Sequence, residues 1–337
     1  MTTAGPTDDL HADDAPEEWR RRARRTMAWA SAAGGLLSLG AAAVAWSWLD
    51  ELPDEVASHW SGGGAPDGFS TPESTVLLFA AVAVGLLALF FVIGTVAGAA
   101  ASNRRLAAAG SVWSGGFMAG TMLTTLAPQR GLTDVSQVTI SGWVMAAVLL
   151  VPLLPAVAAA ALVPGDPAMP AAGPVSATAP RAALRDGERA VWLRRATGGP
   201  GLAVGMAMIL VTAVLAVVLE TWAMLVVPVL LAGVFVAMFA FTVRVDASGL
   251  TVRSTAGWPR THVPAAEVVA ASVVQVSPFA DFGGWGWRVG RAGRVGVVLR
   301  KGEGLLVERT GGRSLVVTVD DAATGAALLN TVAEQAR

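Results

Sequence analysis

Cysteine is absent from the 337 residues. That excludes disulfides, thiolate metal sites, cysteine nucleophiles and lipidated cysteines. Tyrosine is absent too, so tryptophan must supply any aromatic belt at a membrane surface. Lysine occurs once, at Lys301, and lacks the glycine pattern of a Walker-type phosphate loop. The three histidines, His11, His59 and His262, are too few and too scattered to read as a three-ligand zinc site. Charge is scarce: 15% of residues are Asp, Glu, Lys or Arg, against roughly a quarter in a soluble domain. With 54% hydrophobic residues the chain is no disordered polymer either. An integral membrane protein is the class that remains. The net charge of −1 names no partner.

The apolar excess falls into six uncharged runs: Met27 to Leu49, Thr75 to Ala101, Leu106 to Leu126, Gly142 to Val163, Gly201 to Leu219 and Thr221 to Val243. Each is read as a transmembrane helix, since lipid offers no partner to an unpaired backbone group. Glu220 splits the last two into a tight hairpin. Arginine sets the orientation. Arg20, Arg21, Arg22, Arg24 and Arg25 precede the first run, Arg104 and Arg105 follow the second, and five arginines lie between 181 and 195. The loop 50–74 has no Lys or Arg. The expectation is a multi-pass plasma-membrane protein with both termini cytoplasmic, and with an uncleaved first helix rather than a signal peptide.

The expected organisation is a disordered tail with the arginine cluster at 1–25, a four-helix membrane domain at 26–163 and a Pro/Ala-rich linker at 164–199. A helical hairpin follows at 200–243, then a cytoplasmic domain at 244–337. Within the linker, Leu184 to Arg195 is read as either a short amphipathic surface helix or a solvated linker helix. Beyond Arg244 short β-rich runs alternate with turns at Ser248-Gly249, Lys301 to Gly304 and Gly311-Gly312. A helix closes the chain, with Asp320 or Asp321 as its N-cap. About seven strands and one helix suggest a small barrel-like sheet of pleckstrin-homology (PH) type. The fold class is therefore an α-helical polytopic membrane protein of six transmembrane helices, with a C-terminal β-rich PH-like domain.

The loop after the first span carries Leu52, Pro53, Val56, His59, Trp60, Gly64, Pro66, Asp67 and Phe69. This pattern, LPxxVxxHW…GxPDxF, resembles the signature of an uncharacterised family of bacterial membrane proteins. That family includes immunity proteins against a sporulation-delay toxin. The resemblance implies a regulatory or immunity role; Ser61 stands where relatives usually carry Asn. A second run, Ser277-Pro278-Phe279 and then Phe282 to Arg288, is similar to bacterial PH-like domains anchored by a preceding helix pair, common in actinobacteria. It implies an interaction or scaffolding module without catalysis.

The His59 loop is the first candidate site. It bears Asp50, Glu51, Asp54, Glu55, Asp67 and Glu73 without a basic residue, which would attract a cationic peptide or hold a cation. His59, with an ordinary pKa of ~6.5, would respond to acidity. The competing reading is structural: Pro53 sets the helix exit and Trp60 anchors at the interface. The second candidate is an interaction surface of Trp285, Trp287, Arg288, Arg291 and Arg294. The two tryptophans would share one face of a strand, as core, membrane contact or ligand site. Its arginines would favour anionic lipid; nucleic acid is not expected as a partner. Gly94-x-x-x-Gly98 and Gly116-x-x-x-Gly120 fit intramolecular packing or dimerisation. Neither a metalloprotease H-E-x-x-H nor a hydrolase G-x-S-x-G occurs, so no catalytic residue, metal ligand or cofactor is expected. The functional expectation is a regulatory, immunity or scaffolding membrane protein. It would have an unknown cytoplasmic protein partner and would not be an enzyme. A small-molecule or peptide transporter is the alternative, though uncharged spans offer no ion-coupled pathway.

Overall fold

The computed structural model describes residues 17–60, 65–98, 100–166, 169–185, 187–290 and 294–337. They form two compact units. One contains Glu18–Gly165 and Val211–Pro228, the other Asp166–Leu210 and Val229–Arg337.

The first unit is a helical bundle. Helix α1 runs Glu17–Trp46 and begins inside the segment expected to be a disordered tail. Glu, Arg and Ala are good helix formers, and no Gly or Pro interrupts them before Met27. A two-stranded hairpin follows, β1 (Val56–Trp60) and β2 (Pro66–Ser70). Helix α2 (Pro72–Val96) starts where Thr71 accepts from the Ser74 amide and Pro72 takes the first turn. Helix α3 covers Ala101–Leu126. The fourth apolar run is broken into α4 (Gly142–Leu150) and α5 (Leu153–Leu162). Pro152 has no amide to donate at the break.

Among the described residues four helical stretches are long and apolar enough to cross a membrane: Arg20–Trp46, Pro72–Val96, Gly142–Leu162 and Pro200–Val218. Their large side chains stay exposed, among them Leu36, Leu78, Leu154 and Leu210. A face of that kind belongs against lipid, and the chain is a membrane protein. Of the six expected spans, four meet this measure of length and hydropathy. Helix α3 is long, but it starts with Asn103, Arg104 and Arg105 and is rich in Ser, Thr and Gly. It sits inside the bundle, where Gly115 meets the backbone of Gly34 so closely that a Cβ would lie 2.2 Å from the Gly34 carbonyl oxygen. The expected glycine pairs also pack within the chain, Gly94 on Met27, Gly116 on Pro152 and Gly120 on Val148. The sixth run falls short because its helix stops early. Helix α6 (Pro200–Val218) is followed by a turn in which Glu220 has φ 53°. Helix α7 then covers only Val226–Met238, about 20 Å at ~1.5 Å per residue.

The second unit contains the β-rich region. A strand, β3 (Trp192–Thr197), and among the described residues no helix, stands where Leu184 to Arg195 is expected to be helical in either reading. Its buried residues, Trp192 and Ala196, are four apart, a spacing that suits one face of a strand as well as one turn of a helix. Pairing decides the matter: β3 takes the open edge of β4 (Ala240–Asp246), from Trp192 opposite Val245 to Thr197 opposite Ala240. With β5 (Gly249–Ser254) and β6 (Arg260–Pro264) they form a four-stranded sheet.

The next strand is β7 (Val268–Val276), and the short helix α8 (Pro278–Phe282) leads to β8 (Gly286–Val289). Then come β9 (Val295–Val298), β10 (Gly302–Arg309), β11 (Arg313–Thr318) and helix α9 (Ala322–Gln335). The five-stranded sheet has the order β7-β10-β11-β9-β8, with β9 parallel to β11. Lys301 to Gly304 is therefore no hairpin turn, because β9 and β10 lie on opposite sides of β11. The turns at Ser248-Gly249 and Gly311-Gly312 do join paired strands. Val276, Phe282, Val298, Leu306 and Val316 form a core cluster.

The Pro/Ala-rich segment is tied down across this unit. Ala171 donates to the Ala266 carbonyl, Met169 accepts from the Thr310 hydroxyl, and Ala182 donates to Ala327 of α9. Asp321 precedes α9 but does not cap it. Its carboxylate accepts instead from the Thr324 hydroxyl, the Trp192 indole and Arg194.

Candidate functional site

The β1–β2 hairpin is fixed to the bundle by the chain on both sides. Val56, wholly buried, joins Ala45, Val76, Met122 and Leu126 in a cluster covered by Leu52 and Trp48. Burying such side chains contributes about 1.5–3 kcal/mol each. Ala57 lies opposite Phe69, and its amide and carbonyl meet the side chain of Gln129. The Ala57 N–H donates to Gln129 Oε1 at 2.7 Å, while Gln129 Nε2 donates to the Ala57 carbonyl at 2.8 Å. Nε2 also donates to the Thr125 carbonyl, in the last turn of α3. A buried amide side chain thus serves as the neighbouring strand that β1 lacks on this edge.

Trp60 is half-buried, and its indole donates to the Val138 carbonyl at 2.7 Å. It anchors the hairpin to the segment after α3. A register shift between Ala57 and His59 brings His59 opposite Gly68. A side chain at Gly68 would meet His59 Cβ at 2.8 Å, so this position needs glycine.

On the outer face His59 Nδ1 lies 2.5 Å from Asp67 Oδ1, with the imidazole 72% and the carboxylate 46% exposed. That leaves Nε2 as the nitrogen available to a ligand. Such an exposed pair adds about 0–1 kcal/mol of stability, so its worth is in orienting the ring. The contact meets the distance demand of a His–carboxylate dyad. It lies on an open hairpin, however, without the walls that make such dyads effective. Asp50, Glu51, Asp54, Glu55 and Glu73 are all exposed in the same loop. Among the described residues no three His, Asp or Glu side chains converge on a metal position.

Leu52 and Pro53 are half-buried at the entry to the hairpin and Pro66 is half-buried at the start of β2. Gly64 lies outside the described residues. Three contributors carried no sequence signal. Gln129 looked like one more loop residue. Gly68 occupied an unspecified place in the motif. Arg130 comes from the segment after α3: it pairs with Glu51 at 2.6 Å and lies over the Trp48 ring. The acidic face is thus framed by one cation that the loop itself does not contain.

The second candidate surface is divided. Trp285 meets Phe279 edge to face at 4.7 Å, whereas Trp287 lies near the buried Phe241 of β4. The expected shared face is lost because Trp285 precedes β8, and Gly284 and Gly286 take φ values of 145° and 102°. A cavity of about 320 Å³ adjoins Trp285, bounded by Met208, Phe235, Phe239, Phe279 and Arg288. Arg288 donates to the Trp285 carbonyl and is exposed, as is Arg294. Arg291 lies outside the described residues.

No curated protein and no solved structure matches the chain. Residues 35–84, from the middle of α1 through the hairpin into α2, match the family described as a domain of unknown function, DUF1648.

Proposed function

We propose that the protein is a regulatory membrane protein of immunity or sensing type, with the His59–Asp67 hairpin as its receptor element. In this reading the hairpin lies outside the cell and both termini lie in the cytoplasm. The β-rich region is a PH-like module that recruits a protein partner. One observation carries the reading: the hairpin is pinned by Gln129, Trp60 and Val56, while its exposed face presents an imidazole oriented by the Asp67 carboxylate. A rigid base under a charged, exposed face suits recognition, because little order is lost on binding. A cationic peptide is the ligand that this charge favours. Two sheets closed by a C-terminal helix support the PH-like assignment, and the parallel β9–β11 pair departs from a simple meander.

Deleting the gene and challenging cells with cationic peptides or toxins of neighbouring strains tests this reading. Survival should fall, and wild-type protein should restore it where the His59→Ala, Asp67→Ala variant does not. Unchanged survival of the deletion strain would sink it.

A further inference from the structure

At the end of the helical bundle opposite the hairpin, α1 and α3 begin and α2 and α5 end. A cavity of about 490 Å³ opens there. Arg22, Arg25 and Thr26 of α1 and Arg104 of α3 line it. Trp29, Leu162 and Pro164 complete it, and none of the lining residues is acidic. Beside it Ala30, Ala108 and Val163 close the contact of α1, α3 and α5.

We propose that this cavity binds the phosphate of an anionic phospholipid headgroup. The chemistry follows from the side chains. Guanidinium forks match phosphate oxygens with paired hydrogen bonds, which a lysine cannot do. Arg104 is only 1% exposed, so its position is set by the fold. Its Nη1 donates to the Gly98 carbonyl at 2.8 Å and its Nη2 to the Pro164 carbonyl at 3.4 Å. The ends of α2 and α5 thus hold this cation in place before any ligand arrives. Arg22, half-buried, and Arg25, exposed, line the same cavity. The Thr26 hydroxyl adds a neutral donor.

The rim separates a lipid from a soluble phosphate. Trp29 is 37% exposed and Leu162 73% exposed at the cavity. An indole and a leucine give a free phosphate nothing, but they suit the glycerol and the first methylenes of a lipid at the membrane interface. Both α1 and α5 belong to stretches apolar enough to cross the membrane, so acyl chains would run along them. The arginine cluster then does more than orient the first helix: two of its members face one ligand, and Arg21 and Arg24 do not line the cavity.

The full-length protein in mild detergent, examined by native mass spectrometry, provides the test. The probes are phosphatidylglycerol, phosphatidylcholine and inorganic phosphate. Wild-type protein should retain phosphatidylglycerol in preference to phosphatidylcholine. The variant Arg22→Gln, Arg25→Gln should bind it roughly 30-fold more weakly, the equivalent of about 1 kcal/mol for each arginine near the surface. The variant Arg21→Gln, Arg24→Gln removes the same charge outside the cavity and should keep wild-type retention. Arg104 is left intact, since its loss would also unseat two helix ends. Equal loss in both variants, or equal retention of the two lipids, overturns the proposal. Binding of inorganic phosphate with no lipid preference overturns the assignment to a lipid.

Discussion

Replacing Gln129 by Leu should release the receptor hairpin while leaving the helices in place. The side chain is fully buried and makes three hydrogen bonds of 2.7–2.8 Å. Leucine is apolar and of similar size, so little volume changes. The Ala57 amide and carbonyl, both in a residue with no exposed surface, lose their partners together. Each stranded buried group costs about 1–3 kcal/mol. Two of them cost about 2–6 kcal/mol, charged to the docking of β1 rather than to the bundle. Local opening should then be favoured by a factor of roughly 30 or more. Hydrogen–deuterium exchange of the full chain in detergent reads this directly, from peptides covering residues 53–60. Those peptides should exchange at least about tenfold faster in Gln129→Leu, while peptides within α2 stay at the wild-type rate. Gln137→Leu, an exposed glutamine in the same loop, should change nothing. Gln129→Glu should be worse than leucine, because it places carboxylate oxygens against two carbonyls. Wild-type exchange of the hairpin in Gln129→Leu would refute the clamp.

Other substitutions test the second unit. Trp192 is 4% exposed and its ring packs on Gly325 of α9. Trp192→Ala should cost about 3–5 kcal/mol by the usual measure for a buried aromatic, read as a lowered midpoint in chemical denaturation. Glu267 is 4% exposed and bridges Arg309 at 2.7 Å and Arg313 at 3.2 Å. Burial, and then the neighbouring Arg309, pull the Arg313 guanidinium below its ordinary value, with Glu267 opposing them. Glu267→Gln should cost up to about 3–5 kcal/mol, since it removes the carboxylate shared by the buried Arg313 and the half-buried Arg309 and leaves Arg313 with Asp166 at 3.8 Å. Thermal melts of that variant should show no loss if the network is ornamental. Asp321 is held below the ordinary carboxylate value by the Thr324 hydroxyl first, then by the Trp192 indole. A depressed folded-state pKa gives stability that is present above the unfolded value and lost as pH falls through the folded one. The difference in melting temperature between wild type and Asp321→Asn should therefore be full at pH 6 and shrink below about pH 3.9. A difference independent of pH would remove the carboxylate from the account.

How much could be read beforehand depends on whether a signal was local. Strand β7 was legible end to end, Val268 to Val276, because β-branched residues and flanking turns agree there. The Ser248-Gly249 turn was legible because Gly249, at φ 120°, accepts a conformation few residues tolerate. The Lys301 to Gly304 run has the same turn composition, yet its glycines belong to β10, and the pairing of β10 with β7 and β11 reveals this. Spans one and two were legible from hydropathy. Helix α3 stands where the third run predicts a helix but falls short on hydropathy, because its small polar residues Ser111, Ser114 and Thr125 are buried in the bundle. The His59 loop was recognisable as a motif, but its acidity was overstated until Arg130 was seen to fold onto Glu51.

The least legible residues share one chemical device. Gln129 pairs with both backbone groups of Ala57, and Asn330 does the same for Ala271. Asn330, also fully buried, gives its remaining donor to the Pro180 carbonyl, as Gln129 gives its own to Thr125. In each case a carboxamide presents one acceptor and one donor in the spacing of a strand, at an edge where no strand is available. The device works for β1 at the receptor hairpin and for β7, whose other edge is paired with β10. On each edge it satisfies the amide and the carbonyl of one buried residue, Ala57 in β1 and Ala271 in β7. A carboxamide used in this way must be fixed by tertiary contacts from 59 or 72 residues away. No window of sequence contains both halves, so a solitary Asn or Gln inside an apolar context is the only trace it leaves. Such residues invite replacement as imperfections of a core, and here two of them hold an edge strand to its support.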